Sequence, residues 1–186
     1  LNTARYTEAG QVLSEIKSIK EKILPTRDPS LAYTLANLGT VKKQLAEYGD
    51  AEKYLKEARS IYETSYGTQH IFYASVINNL ALLYQKMGNL DAAKTLFEQS
   101  LETYQTQIGK MNPEYATALE NLATLYQMEE DYDRAKALLE EVLVIDEAIL
   151  GTNHPLYSKT LHNLASIYKE NEEYDQAKTL YQKALD

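Results

Sequence analysis

The feature that most constrains this chain is a hexapeptide that returns at a fixed interval. NLALLY at residues 79–84 comes back as NLATLY at 121–126 and NLASIY at 163–168, each step being 42 residues. One step in the other direction lands on NLGTVK at 37–42, which keeps the Asn, the Leu and a small third residue but puts Lys42 in the tyrosine position. A fixed period of about 20–50 residues means that each unit is too small to bury its own apolar face, so neighbours must stack and the chain grows along one dimension. The 186 residues therefore count repeats rather than globular domains.

Two apolar stripes lie within each period. The first contains Leu35 and Leu38, then Ile77, Leu80, Ala81 and Tyr84, and continues at the same interval. The second runs Ala51, Leu55, Ala58; Ala93, Phe97, Ser100; Ala135, Leu139, Val142; Ala177, Tyr181, Ala184, and extends backwards to Ala9, Leu13 and Ile16. Spacings of three and four keep such residues on one face of a helix, and the small Ala lets a neighbouring helix approach closely. Polar turns at Tyr48-Gly49-Asp50, Gly88-Asn89-Leu90-Asp91, Glu130-Asp131-Tyr132-Asp133 and Glu172-Glu173-Tyr174-Asp175 separate the stripes, giving helix, turn, helix.

The joints between units are equally regular. Gly67, Gly109 and Gly151 share a column in which glycine is expected to close a helix in the left-handed conformation, with Pro25 in their place at the first joint. Four residues later stand Pro29, Ile71, Pro113 and Pro155, preceded by Asp28, His70, Asn112 and His154. An Asp-Pro or Asn-Pro step reads as an N-cap followed by a first-turn proline, whose missing amide has no helical acceptor to lose. His70 and His154 are read as joint or capping residues, too far apart at about 8–10 Å per packed helix to share a metal.

These columns resemble the tetratricopeptide repeat, and the long unit with its G-x-x-[HN]-P joints and N-L-A-x-[LI]-Y helices is similar to the subclass found in kinesin light chains. The usual repeat of that family has about 34 residues, so each unit here gains about two helical turns. The resemblance implies an all-α, right-handed α-solenoid of antiparallel helix pairs. Residues 1–25 read as the second helix of a truncated repeat, followed by four pairs at 26–67, 68–109, 110–151 and 152–186. The array starts mid-unit, so the sequence is expected to be an excerpt of a longer protein, with self-association through its unmatched ends.

Composition narrows the function. A net charge of −8 speaks against a phosphate backbone and hence against nucleic acid. No apolar run approaches the about 20 residues that span a bilayer, so no membrane insertion and, with no signal pattern, a cytoplasmic location are expected. The absence of cysteine removes thiolate chemistry and Cys-ligated metals. No Gly-rich phosphate loop, Ser/His/Asp arrangement or metal-ligand cluster occurs, so no catalytic residue, cofactor or metal is assigned and the chain is read as non-enzymatic.

In the resembled family the first helix of each pair lines a concave surface that binds extended peptides. The positions this implies include Asn37, Asn78, Asn79, Asn121 and Asn163 together with Tyr33, Lys43, Lys86, Lys159, His162 and Lys169. An amide offers donors and an acceptor at once and so matches a peptide backbone whatever its side chains. The same Asn residues could instead bridge neighbouring first helices, and the sequence leaves both roles open. Ten of the 16 tyrosines fall in three repeating columns and read as packing, whereas Tyr33 lies on the exposed side of its helix. Residues 110–151 carry ten acidic side chains against three basic, mostly in the turn and second helix, among them Asp131, Asp133, Glu140, Glu141, Asp146 and Glu147, which this architecture places away from the groove. Four lysines then face Glu120 in the groove, and the expected partner is a protein or peptide segment, extended and neutral to acidic. The alternative reading is a structural arm that packs on another domain of the same protein or on itself.

Overall fold

The computed structural model describes residues 2–185, which among themselves form nine helices and no strand. These are α1 (Asn2–Ile23), α2 (Pro29–Gln44), α3 (Tyr48–Tyr66), α4 (Ile71–Lys86), α5 (Leu90–Ile108), α6 (Pro113–Met128), α7 (Tyr132–Leu150), α8 (Pro155–Glu170) and α9 (Tyr174–Leu185). The period survives in the boundaries: α2, α4, α6 and α8 each run 16 residues, and α3, α5 and α7 each run 19.

Local chemistry sets those boundaries. Asp28, His70, Asn112 and His154 hold extended backbone, and each side chain accepts a hydrogen bond from the N–H two residues on, at 2.8, 3.2, 2.9 and 3.2 Å. Both histidines cap through Nδ1, which needs that nitrogen unprotonated. At the far ends, Gly67 (φ 81°, ψ 170°) and Gly151 (φ 81°, ψ 163°) have the positive φ expected of them. Their ψ, however, puts them in the extended region of positive φ that is essentially glycine's alone, not in the left-handed helical well. At the first joint, where Pro25 occupies that column, the positive φ moves to Arg27 (69°). Within pairs the chain reverses at Ala46, Gly88, Glu130 and Glu172, one column with φ of 59–80°. The reversal thus precedes Tyr48, Leu90, Tyr132 and Tyr174, and Gly49, Asp50, Asp91, Asp133 and Asp175 already belong to the first turns of α3, α5, α7 and α9.

The chain resolves into two compact units, one ending at Thr103 and the other beginning at Tyr104, with the boundary inside α5. In the first, α2 packs on α1 and α3, α3 packs on α4, and α2 also touches α4. Its core includes Ala32, Leu35, Leu55, Ala58 and Ile77, all fully excluded from solvent, with Leu96 of α5 against it. In the second, α6 packs on α7, α7 on α8 and α8 on α9, around Leu119, Leu139, Val142, Leu161 and Leu164. Burying a Leu or Val of this kind contributes about 1.5–3 kcal/mol. The alanine column read from the sequence is buried at Ala51, Ala93, Ala135 and Ala177. On α1 the same columns stay partly open: Ala9 and Leu13 are half-buried, and Ile16 is exposed beside Val12, Ile19 and Ile23.

Candidate functional site

On α2, α4, α6 and α8 the recurring Asn stands immediately before a buried leucine, Leu38, Leu80, Leu122 or Leu164, at the edge between the packed stripe and the open face. Asn37, Asn79, Asn121 and Asn163 are all half-buried, as is Asn78 beside them. The side-chain amides of Asn37, Asn79 and Asn163 make no hydrogen bond with the protein among the described residues. A half-buried amide without a protein partner keeps both donor and acceptor available. The threonines of the same faces differ. Thr40, Thr117 and Thr124 turn their hydroxyls back onto carbonyls of their own helices at 3.0, 2.9 and 2.9 Å, leaving mainly a methyl to the outside.

The lysines divide between the two units. Lys43 is half-buried, and neither it nor the exposed Lys86 has an ion-pair partner among the described residues. Burial first, and then the charge of Lys86, hold the Lys43 ammonium below the usual lysine range. Both lie in the last turn of their helices, where the carbonyl end of the helix dipole favours a cation. Lys159 instead donates to Glu120 at 3.0 Å, and Lys169 to Glu170 at 3.4 Å. The excess positive charge of the first-helix faces therefore belongs to Lys43 and Lys86.

Tyr33 is 65% exposed, as its register implies. It is not isolated, because burial, followed by the nearby hydroxyls of Tyr66 and Tyr33, pushes the Tyr62 hydroxyl up to about 12. Tyr62 also meets Phe72 with ring centroids 5.5 Å apart, and Tyr66 stacks on His70 at 4.5 Å, which gives the joint between α3 and α4 an aromatic lining beyond the capping role of His70. His162 is exposed and sets its ring at 5.0 Å, edge-on, against Tyr181 of α9.

The acidic residues of the third period mostly stay on the second helix, as expected. Glu141 of α7 accepts from Lys110 at 2.9 Å and from the Tyr115 hydroxyl at 3.2 Å, and Glu140 from the Tyr168 hydroxyl at 3.3 Å. Asp146 departs from that expectation. It is only 7% exposed and takes a 2.8 Å hydrogen bond from Thr160 of α8, which turns it toward the first helices rather than away from them. Together with Glu120 it lines a cavity of about 220 Å³ between α6, α7 and α8. The sequence carried a signal for it: the column that holds Tyr62 and Tyr104, both buried, holds Asp146 at the next step of 42. Among the described residues no group of three His, Cys, Asp or Glu could hold a metal ion, and no helix is long and apolar enough to cross a membrane.

Comparison with known families gives a match of the tetratricopeptide repeat model to residues 30–106 and 114–186. No curated protein matches the chain. Among solved structures it is similar to BtubC (BKLC) from P. vanneervenii, at 23% identity and a TM-score of 0.84 over 97% of this chain and 72% of that one. A chain of kinesin-light-chain-like, nearly identical TPR-like repeats from Podosopora anserina gives 23% identity and a TM-score of 0.79 over 98% of this chain and 87% of that one. MamA is more distant, with 18% identity and a TM-score of 0.64 over 93% and 84%. At these identities the likeness carries the fold.

Proposed function

Because this chain belongs to the tetratricopeptide repeat family, a class of non-catalytic helical scaffolds that bind protein partners, we propose that it is an adaptor whose first-helix faces hold an extended segment of a partner protein. The observation that supports this reading is the repeated half-buried Asn, whose amides at positions 37, 79 and 163 find no hydrogen bond among the described residues. An Asn repeated on the first helix of each pair suits a ligand that itself repeats a donor and an acceptor, which is the property of an extended backbone. Lys43 and Lys86 would favour carboxylates on the segment bound along α2 and α4, while Tyr33 and the exposed edge of His162 would add aromatic contact. A peptide-library selection on the chain tests this. Selected peptides should lose at least about 1 kcal/mol of binding when Asn79 and Asn121 are both changed to Ala, and added salt should weaken the acidic ones further. Affinity indifferent to both would remove the reading.

A second reading, self-association, is favoured by one feature. Val12, Ile16, Ile19 and Ile23 form an exposed apolar stripe along α1, and such a stripe gains by being covered by another copy. Light scattering over a concentration series should show association that Ile19→Glu abolishes, whereas a strict monomer at high concentration would exclude it.

A further inference from the structure

The cavity beside Asp146 is walled on most sides by apolar groups, among them Ala116, Val142, Ile149 and Leu156, and its polar side is formed by Glu120, Asp146 and Lys159. Glu120 is neutralised by Lys159, which donates to both its oxygens at 3.2 and 3.0 Å. Asp146 has no ion-pair partner among the described residues. Its Oδ2 accepts from Thr160, and its other oxygen has no hydrogen-bond partner among the described residues. Thr160 cannot do more. Its hydroxyl lies 2.8 Å from Asp146, 3.1 Å from the Leu156 carbonyl and 3.4 Å from Glu120, yet has one proton to give, and the shortest contact takes it. This largely buried carboxylate is held by one neutral hydroxyl and keeps its second oxygen able to take a cation.

The repeat register says why the space exists. Where Tyr62 and Tyr104 fill their column with a buried ring, Asp146 supplies a much smaller and charged group, so the third period has both the room and the charge that its neighbours lack. Pockets for whole small molecules usually exceed about 300 Å³. At about 220 Å³ this one is the size of a single side chain. Apolar walls ending in a carboxylate without a paired cation suit an aliphatic stem with a cationic head, the chemistry by which lysine and arginine bury their methylenes while keeping the charge paired.

From this we infer that the cavity between α6, α7 and α8 receives a lysine or arginine side chain of a partner protein, whose cationic head pairs with Asp146. The site stands on the geometry of its own three helices and does not depend on whether the Asn columns hold a backbone. It also makes the second unit selective for positive charge, where the Lys43 and Lys86 end favours negative.

The probe is Nα-acetyl-lysine methylamide, titrated into the whole chain carrying labelled methyl groups, with the norleucine and Nε-acetyl-lysine analogues alongside. The lysine compound should shift the methyl signals of Ala116, Val142, Ile149 and Thr160 saturably at about millimolar concentration, and both uncharged analogues should bind at least about tenfold more weakly. Asp146→Asn keeps an acceptor for Thr160 and leaves the cavity open, so it should remove the preference for the charged compound with the helical circular dichroism intact. Asp146→Tyr restores the residue of the other periods and should abolish the shifts altogether. Shifts of equal size from norleucine, an undiminished response in Asp146→Asn, or no saturable shift with any of the three would each overturn the assignment. Loss of peptide binding in the Asn79, Asn121 double variant would leave these titrations untouched.

Discussion

Gly39→Ala offers a test in which two effects of known sign oppose each other. Gly39 lies inside α2 and is buried, in the small-residue column that continues as Ala81, Ala123 and Ala165. On helix propensity alone, alanine at this position should stabilise by about 1 kcal/mol. A Cβ there would sit 2.5 Å from Leu55 Cγ, 2.9 Å from its Cδ2 and 3.1 Å from the Ala51 carbonyl oxygen. The first contact is with the branch point of a fully buried leucine and the last is with backbone, so neither can swing aside as a flexible tip would. Overpacking of this kind costs about 1–3 kcal/mol. The 2.5 Å contact argues for the upper half of that range, which leaves a net loss of about 1–2 kcal/mol after the propensity gain. At about 2–4 °C per kcal/mol for a chain of this length, Tm should fall by about 2–8 °C. Urea unfolding followed by helical circular dichroism measures the same difference. In a Leu55→Ala background both leucine contacts are gone and only the 3.1 Å approach to the Ala51 carbonyl remains, so the added Gly39→Ala should cost much less than in the parent, a coupling within the usual range of roughly 0.5–3 kcal/mol for contacting residues. A Gly39→Ala protein more stable than its parent would refute the packing argument and leave propensity as the controlling term.

Other expectations follow from the same structure. Ala93→Leu should lower stability by about 1–3 kcal/mol, read as a fall in Tm, because Ala93 is wholly excluded from solvent. Gly151→Ala should cost about 1–3 kcal/mol through backbone strain alone, since a Cβ there meets open space while φ is 81°. His154→Ala should cost about 0.5–2 kcal/mol in thermal melts by removing the acceptor for the Leu156 amide. Lys43→Met should raise Tm while weakening any acidic peptide. The folded protein holds the Lys43 ammonium below its ordinary range, so its charged form opposes folding in full below that lowered value and is relieved as pH rises through it. A Lys43→Met protein that melts lower at neutral pH would contradict this.

Much of the fold was legible because repetition multiplies weak signals. One Ala-Leu-Ala spacing is ambiguous, but four in register are not, and the helix starts at 29, 71, 113 and 155 fall where the Asp, His and Asn caps placed them. What the columns hid was the exception within them. Asp146 read as one more acidic residue on a charged second helix, because its burial depends on Thr160 of the next helix pair and on the absence of the tyrosine ring that fills its column elsewhere, and neither is local in sequence. The lysines show the same limit. Register set Lys159 among the open cations, but only three-dimensional contact reveals that Glu120, 39 residues earlier, already holds it.

The central claim is that the first-helix faces bind a peptide backbone through their asparagines, and the side-chain NH₂ resonances of those asparagines report on it most directly. Titrating a selected peptide into the labelled chain should move the NH₂ signals of Asn37 and Asn79 along one saturation curve, with the surface of α7 around Val144 unmoved. Unchanged asparagine signals during saturable binding, or shifts centred on Glu140 and Val144, would contradict the account.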